Sequence, residues 1–189
     1  MAFNSGGDLC LGFWKEIWDA GTVQFPQGAT VLEIGCAEAD WLTPMKAERR
    51  DLELIGLDWR TCERPGGTVV KGNVMDASLW PGETFDAIVS VSAIEHVGLG
   101  SYDNDPQDRY GDTKAMQHAC DWLKPGGWMY LDIPYRPHGP YEVNSNFRAY
   151  DEENLQKRLI VPGFREEYRQ IMGEARGDGP YLALVLRKV

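Results

Sequence analysis

The sequence predicts an α/β fold in which one doubly wound, mostly parallel sheet carries an antiparallel last strand. Apolar segments of strand length alternate with helical patterns from residue 31 onward, as in a sheet built from βαβ units. The last two strand-like segments are joined by a glycine-rich loop, which predicts that they pair antiparallel. A chain of 189 residues suits a single domain, residues 1–189, whose core is large enough to fold without disulfides.

The first half of the chain has short connections between its predicted strands. Residues 1–28 form a lead-in, with an amphipathic helix over residues 8–20 that covers the sheet. The next elements are a strand from residue 31, a helix within 39–50, and strands at 53–59, 68–73 and 85–90. Because a parallel crossover normally needs about a dozen residues or more, the helix after the second strand must be trimmed to a turn or lost. The next link holds a single turn at residues 76–80, so the fold is compact, with shortened crossovers.

The second half continues the alternation of strands and helices. Asp112 is expected to cap a helix that ends at the run K-P-G-G, residues 124–127. The remaining predicted elements are a strand at 128–134, a helix at 151–160, and strands at 164–172 and 181–189. The near-continuous apolar run at 85–90 is typical of a central parallel strand that is buried on both faces.

The acidic composition disfavours several classes of partner. The formal net charge is -10 at pH 7, whereas nucleic-acid affinity comes largely from Lys and Arg neutralising phosphates. We therefore expect no nucleic acid and no membrane surface as partner. No apolar run approaches the roughly 20 residues that cross a bilayer, and residues 1–12 do not resemble a secretory signal, so we expect a cytoplasmic protein.

The cysteines give no sign of a metal or redox centre. None stands in a C-x-x-C pattern or near a histidine pair, so neither a zinc site nor a redox motif is indicated and reduced thiols are expected. The four cysteines are Cys10, Cys36, Cys62 and Cys120.

A candidate cofactor loop follows the first strand. The run V-L-E-I-G-C-A-E-A-D at residues 31–40 breaks from an apolar strand into a turn of small residues, with the acid Glu33 near the strand's end. A dinucleotide-binding loop would read G-x-G-x-x-G, but here Gly35 is followed by Ala37 and then Ala39. Asp58 ends the second strand, about where a carboxylate that binds a ribose is expected. Together these residues indicate a nucleotide-cofactor site.

The pattern acid-x-Gly-x-Ala-x-Ala resembles the first motif of class I S-adenosylmethionine-dependent methyltransferases, E/D-x-G-x-G-x-G. The resemblance covers nearly the whole chain and implies a Rossmann-like fold with S-adenosylmethionine as cofactor. It also leaves two roles open for the helix at 8–20, which either covers the sheet or closes over the cofactor. By position, Glu33 would orient the cofactor, and the backbone of Gly35 and Ala37 would lie against its methionine part. Cys36 fills the tight turn between them. Ala39 departs from the third glycine of the motif, although it adds only a methyl group.

Further cofactor contacts are expected after the second, third and fourth strands. Asp58 can accept hydrogen bonds from both ribose hydroxyls, and Trp59 lies either on the adenine or in the core. The resemblance puts Asn73 where the family usually has an Asp that binds the adenine amino group, with Asp76 as a competing assignment. The predicted cofactor-binding residues are Glu33, Gly35, Cys36, Ala37, Asp58, Trp59, Asn73, Val74, Met75 and Ser90.

Histidine is the candidate base. Methyl transfer from a sulfonium is an in-line displacement that needs a base only if the acceptor must lose a proton. His96 follows the fourth strand, at the sheet edge where open α/β folds bind ligands, and it either takes that proton or packs the turn. His138 is a rival within the polar and aromatic cluster at residues 135–148, which would suit a hydroxyl-rich acceptor. Long loops such as the acidic one at 98–111 tend to be lids or substrate walls. Its carboxylates either hold a divalent cation or, as we expect, are solvated, because D-x-D-x-x-D is not a calcium-loop pattern.

A narrower resemblance bears on the acceptor. Residues 94–100, 112–116 and 123–127 are similar to methyltransferase-like proteins associated with polysaccharide biosynthesis, which favours O-methylation of a small hydroxylated molecule such as a sugar. Two alternatives are a non-catalytic methyltransferase-like binding subunit and a nicotinamide-dependent reductase. The missing G-x-G-x-x-G pattern counts against the reductase. The sequence carries no signal of oligomeric state.

Overall fold

The computed structural model of the protein describes residues 10, 12–16, 25–37, 41–63, 67–102, 105–175 and 179–189. The strands are β1 Thr30–Ile34, β2 Glu53–Asp58, β3 Thr68–Lys71, β4 Phe85–Ser90, β5 Leu123–Pro134, β6 Glu142–Val143, β7 Arg148–Ala149, β8 Phe164–Ala175 and β9 Gly179–Lys188. The helices are α1 Leu42–Glu48, α2 Gly111–Trp122 and α3 Glu152–Arg158. Within these residues no helix combines the length and the apolar character needed to span a membrane.

Seven strands form one mixed sheet in the order β3-β2-β1-β4-β5-β9-β8. The first five strands are parallel, and β9 is inserted antiparallel between β5 and β8. Ile34 pairs with Leu57 on one side and with Ser90 on the other. The carboxyl ends of β1, β2 and β4 therefore lie at one edge of the sheet. The predicted fold, including its antiparallel C-terminal strand, is confirmed.

Both faces of the sheet are buried. Leu32 and Ile88 belong to a core beneath α2 and α3, whereas Val31 and Val89 belong to a second core that contains Trp14 from the N-terminal segment. Neighbouring strand residues point to opposite faces. Covering on both sides explains why these strands read as nearly continuous apolar runs.

Most predicted elements lie where the sequence indicated, with shifted ends. β3 ends at Lys71, two residues early, and β5 begins at Leu123, with a register shift before regular pairing from Trp128. The described part of the β2–β3 link contains no helix, and the β3–β4 link keeps a 3₁₀ turn at Ala77–Leu79. Of the predicted helix at 8–20, residues 10 and 12–16 are helical, and the rest lies outside the described residues.

The predicted N-cap of α2 is wrong. Tyr110 occupies that position without a side-chain cap, and Asp112 is buried in the first turn. The carboxylate of Asp112 accepts hydrogen bonds from the Tyr150 hydroxyl at 2.9 Å and from Arg158 Nη2 at 2.6 Å. These long-range partners hold Asp112 inside the helix and outweigh its local preference for the cap.

Candidate functional site

The turn after β1 requires glycine at its start. Gly35 has φ +83, and a Cβ built on it would lie 2.3 Å from the Cβ of Ala93, just past β4. Its N–H donates to the carbonyl oxygen of Leu57 at 2.8 Å. The loop is therefore pressed against both neighbouring strand ends, and only a residue without a side chain fits there.

Asp58 joins this loop to the end of β2. Its side chain is 4% exposed. Oδ2 accepts the N–H of Ala37 at 3.0 Å, and Oδ1 accepts the N–H and Nε of Arg60 at 2.8 and 3.1 Å. The Arg60 guanidinium lies over the Tyr102 ring, 4.3 Å from its centroid. The structure thus brings the predicted loop residue Ala37 and the predicted acid into direct contact.

Glu33 and Cys36 are both buried at the same edge. Glu33 Oε1 accepts the N–H of Trp41 at 3.1 Å, which ties the end of β1 to the start of α1. Cys36 fills the turn, as predicted, and its Sγ lies 3.7 Å from the Sγ of Cys62. Burial raises the pKa of the Cys36 thiol. Ala39 lies outside the described residues.

The turn after β3 contains the two candidate polar residues, Asn73 and Asp76. The side-chain oxygen of Asn73 accepts the N–H of Met75 at 2.9 Å. Asp76 instead caps the following 3₁₀ turn, accepting both the N–H and the hydroxyl of Ser78, and these bonds lower its pKa. Val74 is buried, and its carbonyl accepts a hydrogen bond from His118 Nδ1 at 2.9 Å. Both side chains are thus engaged locally, and Asn73 lies nearer the strand end.

Ser90 and Trp59 also lie at the carboxyl edge of the sheet. Ser90 is fully buried at the end of β4, and its Oγ has no hydrogen-bond partner within the described residues. An unsatisfied buried hydroxyl is costly in an ordinary core and requires an explanation. Trp59 is half-buried directly after Asp58.

A strained turn follows β4. Ser92 has φ +48, which is uncommon for a residue with a side chain. Its N–H donates to Asp132 Oδ1 and its Oγ to Glu95 Oε1, each at 2.9 Å. Glu95 and Asp132 are both fully buried. The hydrogen bonds to these two acids hold the turn in the conformation that presents His96.

His96 is held by its own neighbours in a defined orientation. Its Nδ1 hydrogen-bonds the carbonyl oxygen of Asn146. A carbonyl can only accept, so Nδ1 carries the hydrogen and, in the neutral ring, Nε2 keeps its lone pair. Nε2 lies 3.8 Å from Glu95 Oε1, and the side chain of His96 is 18% exposed. The rival His138 is exposed in the turn after β5.

A small hairpin, β6–β7, holds the His96 turn from outside. Arg148 in β7 is fully buried and donates to the carbonyl oxygens of Val97 at 2.6 Å and Glu95 at 3.3 Å. Ser101 Oγ donates to the Ser145 carbonyl at 2.8 Å. The sequence had grouped Arg148 with residues facing an acceptor. The structure corrects this, because its guanidinium binds main-chain carbonyls.

Asp132 in β5 lies at the candidate site, and the sequence did not single it out. Its Oδ2 accepts the indole N–H of Trp14 at 2.6 Å, which fastens the helical residues 12–16 to β5. Burial, followed by the nearby charge of Glu95, raises the pKa of Asp132 to about 7. A charged residue inside the apolar strand at 128–134 was the available signal.

The acidic loop after the His96 turn is bonded to its surroundings. Asp108 accepts the N–H of Tyr110 at 2.8 Å and pairs with Lys114, and these contacts lower its pKa. Burial raises the pKa of Asp105. Within the described residues, no group of three or more His, Cys, Asp or Glu side chains is arranged to hold a metal ion. Asp103 lies outside those residues.

Comparison with protein families decides the class. The family model described as a methyltransferase domain matches residues 14–175. The chain belongs to the methyltransferase domain family. It is an S-adenosylmethionine-dependent methyltransferase. This finding favours the methyltransferase prediction over the two alternatives, the reductase and the non-catalytic subunit. A comparison with curated protein sequences found no match.

Solved structures similar to this methyltransferase share its fold at low identity. The Burkholderia thailandensis 1,6-didemethyltoxoflavin-N1-methyltransferase, with its ligand and S-adenosylhomocysteine bound, is 16% identical with a TM-score of 0.69, covering 98% of this chain and 79% of its own. The N-methyltransferase NodS from Bradyrhizobium japonicum, in complex with S-adenosylhomocysteine, is 16% identical with a TM-score of 0.58. The match covers 85% of this chain and 78% of NodS. The [4+2]-cyclase SpnF is 13% identical with a TM-score of 0.72, covering 94% and 80%. At these identities the likeness establishes the fold alone.

Proposed function

We propose that this methyltransferase transfers a methyl group to a hydroxyl of a small acceptor, such as a sugar, with His96 as general base. One observation carries the proposal. The bond from His96 Nδ1 to the Asn146 carbonyl leaves the Nε2 lone pair available at the carboxyl edge of the sheet. An imidazole held in this tautomer can accept a hydroxyl proton as the oxygen attacks.

The surroundings of His96 favour a proton-accepting role. Glu95 Oε1, 3.8 Å from Nε2, would stabilise the imidazolium that forms after proton uptake. A neutral amine can attack a methyl group before it loses a proton, whereas a hydroxyl gains nucleophilicity when a base removes its proton. A positioned base therefore supports oxygen as the attacked atom.

The residues at the sheet edge fit a bound S-adenosylmethionine, which supplies the electrophilic methyl group. Gly35 lets the loop after β1 turn tightly against Ala93, and the Ser90 hydroxyl at the same edge is a buried polar atom that still requires a partner. Asp58 would accept from the ribose hydroxyls, and Arg60, whose side chain is 30% exposed, would give up its bonds to that carboxylate. Asn73 would face the adenine, while Glu33 and Cys36 shape the loop behind the methionine part.

The acceptor side supports a hydroxyl-rich molecule. The exposed turn at residues 144–146 presents amide and hydroxyl groups beside His96. Such groups can hydrogen-bond several hydroxyls of one ligand. The polysaccharide-related resemblance remains a prediction, and a sugar is the acceptor that it favours.

Methyl-labelled S-adenosylmethionine and a panel of sugars, phenols and amines test this proposal. We expect label in hydroxyl acceptors, and we expect His96→Gln to lower that rate about a hundredfold or more while S-adenosylhomocysteine affinity stays unchanged by calorimetry. His138→Gln is the matched control and should keep the wild-type rate. Label found only in amines, at equal rates in wild type and His96→Gln, would contradict the proposal.

A further inference from the structure

Two thiols meet where the loops after β1 and β2 come together. Cys36 is buried in the turn after β1, and Cys62 is half-buried four residues beyond Asp58. Their Sγ atoms are 3.7 Å apart, in direct contact across 26 residues of sequence. All four cysteines of the chain are thiols in the structure.

We propose that Cys36 and Cys62 form a reversible disulfide, which makes this pair an oxidation site where the loops after β1 and β2 meet. A disulfide has an S–S distance of about 2.05 Å, so the sulfurs must approach by roughly 1.7 Å. Residues 61–63 have no regular secondary structure, and Cys62 can therefore move without breaking a strand ladder or a helix. Gly35 and its contact with Ala93 hold the Cys36 side of the pair in place.

A low-molecular-weight disulfide such as oxidised glutathione supplies the oxidant. The more exposed Cys62 attacks first as its thiolate, which forms a mixed disulfide and releases one glutathione thiolate. The Cys36 thiolate then attacks the Cys62 sulfur and displaces the second glutathione. Two electrons pass from the cysteines to the oxidant, and the two cysteine protons end on two glutathione thiols. Because burial raises the pKa of Cys36, the second step speeds up as pH rises.

The other two cysteines provide internal controls. Cys120 lies in the opposite core, beneath α2 and α3, and its Sγ would lie only 2.9 Å from a Cβ built on Gly163. Cys10 is buried against Asp132. Both thiols are buried, and buried thiols are poor substrates for exchange because the oxidant must reach the attacking thiolate.

The consequence for the cofactor rests on the proposed function, in which the loop of Cys36 contacts S-adenosylmethionine. A Cys36–Cys62 bond would draw the chain after β2 toward that loop and shift Arg60, whose N–H and Nε bond the Asp58 carboxylate. We expect the oxidised protein to bind S-adenosylhomocysteine at least tenfold more weakly. By linkage, saturating S-adenosylhomocysteine should lower the equilibrium constant for disulfide formation by the same factor.

Mass spectrometry tests the bond itself, without reference to the cofactor. The reduced protein is equilibrated with mixtures of oxidised and reduced glutathione, alkylated and digested. We expect a linked Cys36–Cys62 peptide that dithiothreitol removes, that is absent in Cys62→Ala and that persists in Cys120→Ala. The proposal would be overturned if, even at pH 9, glutathione stayed attached to Cys62 and Cys36 were still recovered in its alkylated form, which marks an unreacted thiol.

Calorimetry with S-adenosylhomocysteine then separates this proposal from the proposed function. Weaker binding by the oxidised wild type, with no such change in Cys62→Ala, supports the regulatory consequence. Equal affinity of the reduced and oxidised proteins contradicts that consequence. Failure of the reduced protein to bind S-adenosylhomocysteine contradicts the proposed cofactor site, and the linked peptide still decides whether the disulfide forms.

Discussion

Arg148 Nη1 donates a 2.6 Å hydrogen bond to the carbonyl oxygen of Val97, the residue directly after His96. The same nitrogen reaches the carbonyl of Glu95, directly before His96, at 3.3 Å. A guanidinium has five donors in a rigid fork, so it can hold main-chain carbonyls on both sides of one residue. The hairpin that carries Arg148 therefore fixes the turn that presents the proposed base.

Replacing Arg148 should destabilise the protein strongly. Arg148→Met keeps the apolar stem of the side chain. It leaves the buried carboxylate of Asp112, 3.7 Å from Arg148 Nε, with one cation fewer. It also removes the guanidinium that donates to the carbonyls of Glu95 and Val97. We expect the free energy of unfolding to fall by about 3–5 kcal/mol, measured by urea denaturation. Arg148→Lys keeps the charge but loses the fork, so it should cost less. A loss below about 1 kcal/mol in Arg148→Met would show that the network is dispensable.

Substitution of Asp58 tests the proposed cofactor site directly. Asp58→Asn removes the charge that would accept from ribose hydroxyls, and hydrogen bonds to charged groups contribute about 1.5–3 kcal/mol. We expect S-adenosylhomocysteine to bind roughly ten- to a hundredfold more weakly by calorimetry.

The matched control for that substitution is Asp86→Asn. Asp86 also accepts a backbone N–H, from Thr30 at 2.9 Å, and a cation, Lys124, at 2.9 Å, but it lies at the opposite end of β4. Its replacement should leave the affinity unchanged. If both variants lose affinity equally, the effect is structural and Asp58 is not a ribose ligand.

The sequence could predict the parts of the site that depend on local patterns. Gly35 and Asp58 belong to short motifs at strand ends, and strand ends follow from apolar runs that are easy to recognise. The positions of Arg148 and Asp132 depend on partners 51 and 118 residues away in sequence, Val97 and Trp14. No periodicity encodes such contacts.

Local rules were misleading where tertiary partners were stronger. The preference of Asp112 for an N-cap is worth about 1 kcal/mol, which is less than its buried bonds to Arg158 and Tyr150 can contribute. The β6–β7 hairpin was not predicted because strands of two residues leave no alternation to detect.

Gly35 should tolerate no side chain, and Gly28 offers a control. Both have positive φ, +83 and +71, but a Cβ on Gly28 would meet nothing within 4 Å, whereas one on Gly35 would meet Ala93 Cβ at 2.3 Å. Gly28→Ala should cost about 1–2 kcal/mol of unfolding free energy from conformation alone. Gly35→Ala should cost more and also weaken S-adenosylhomocysteine binding. Equal losses in the two variants would mean that the contact with Ala93 relaxes freely.

Asp132 should make stability depend on pH in an unusual direction. Burial and then Glu95 raise its folded pKa from 3.8 to about 7. Between these values the folded protein keeps the proton that the unfolded chain releases, so this residue's contribution to stability is complete below pH 3.8. That contribution is lost as pH rises toward 7, at about 1.4 kcal/mol per pH unit, and is constant above 7.

Asp132→Asn removes this titration while keeping one oxygen to accept the indole N–H of Trp14. The measurement is the free energy of unfolding of both proteins from pH 4 to pH 8, taken as variant minus wild type so that other groups cancel. The difference should rise with pH in favour of the variant and become constant above about pH 7. A difference that stays constant over the whole range would mean that Asp132 is ionised throughout, and that the donors from Ser92 and Trp14 outweigh its burial beside Glu95.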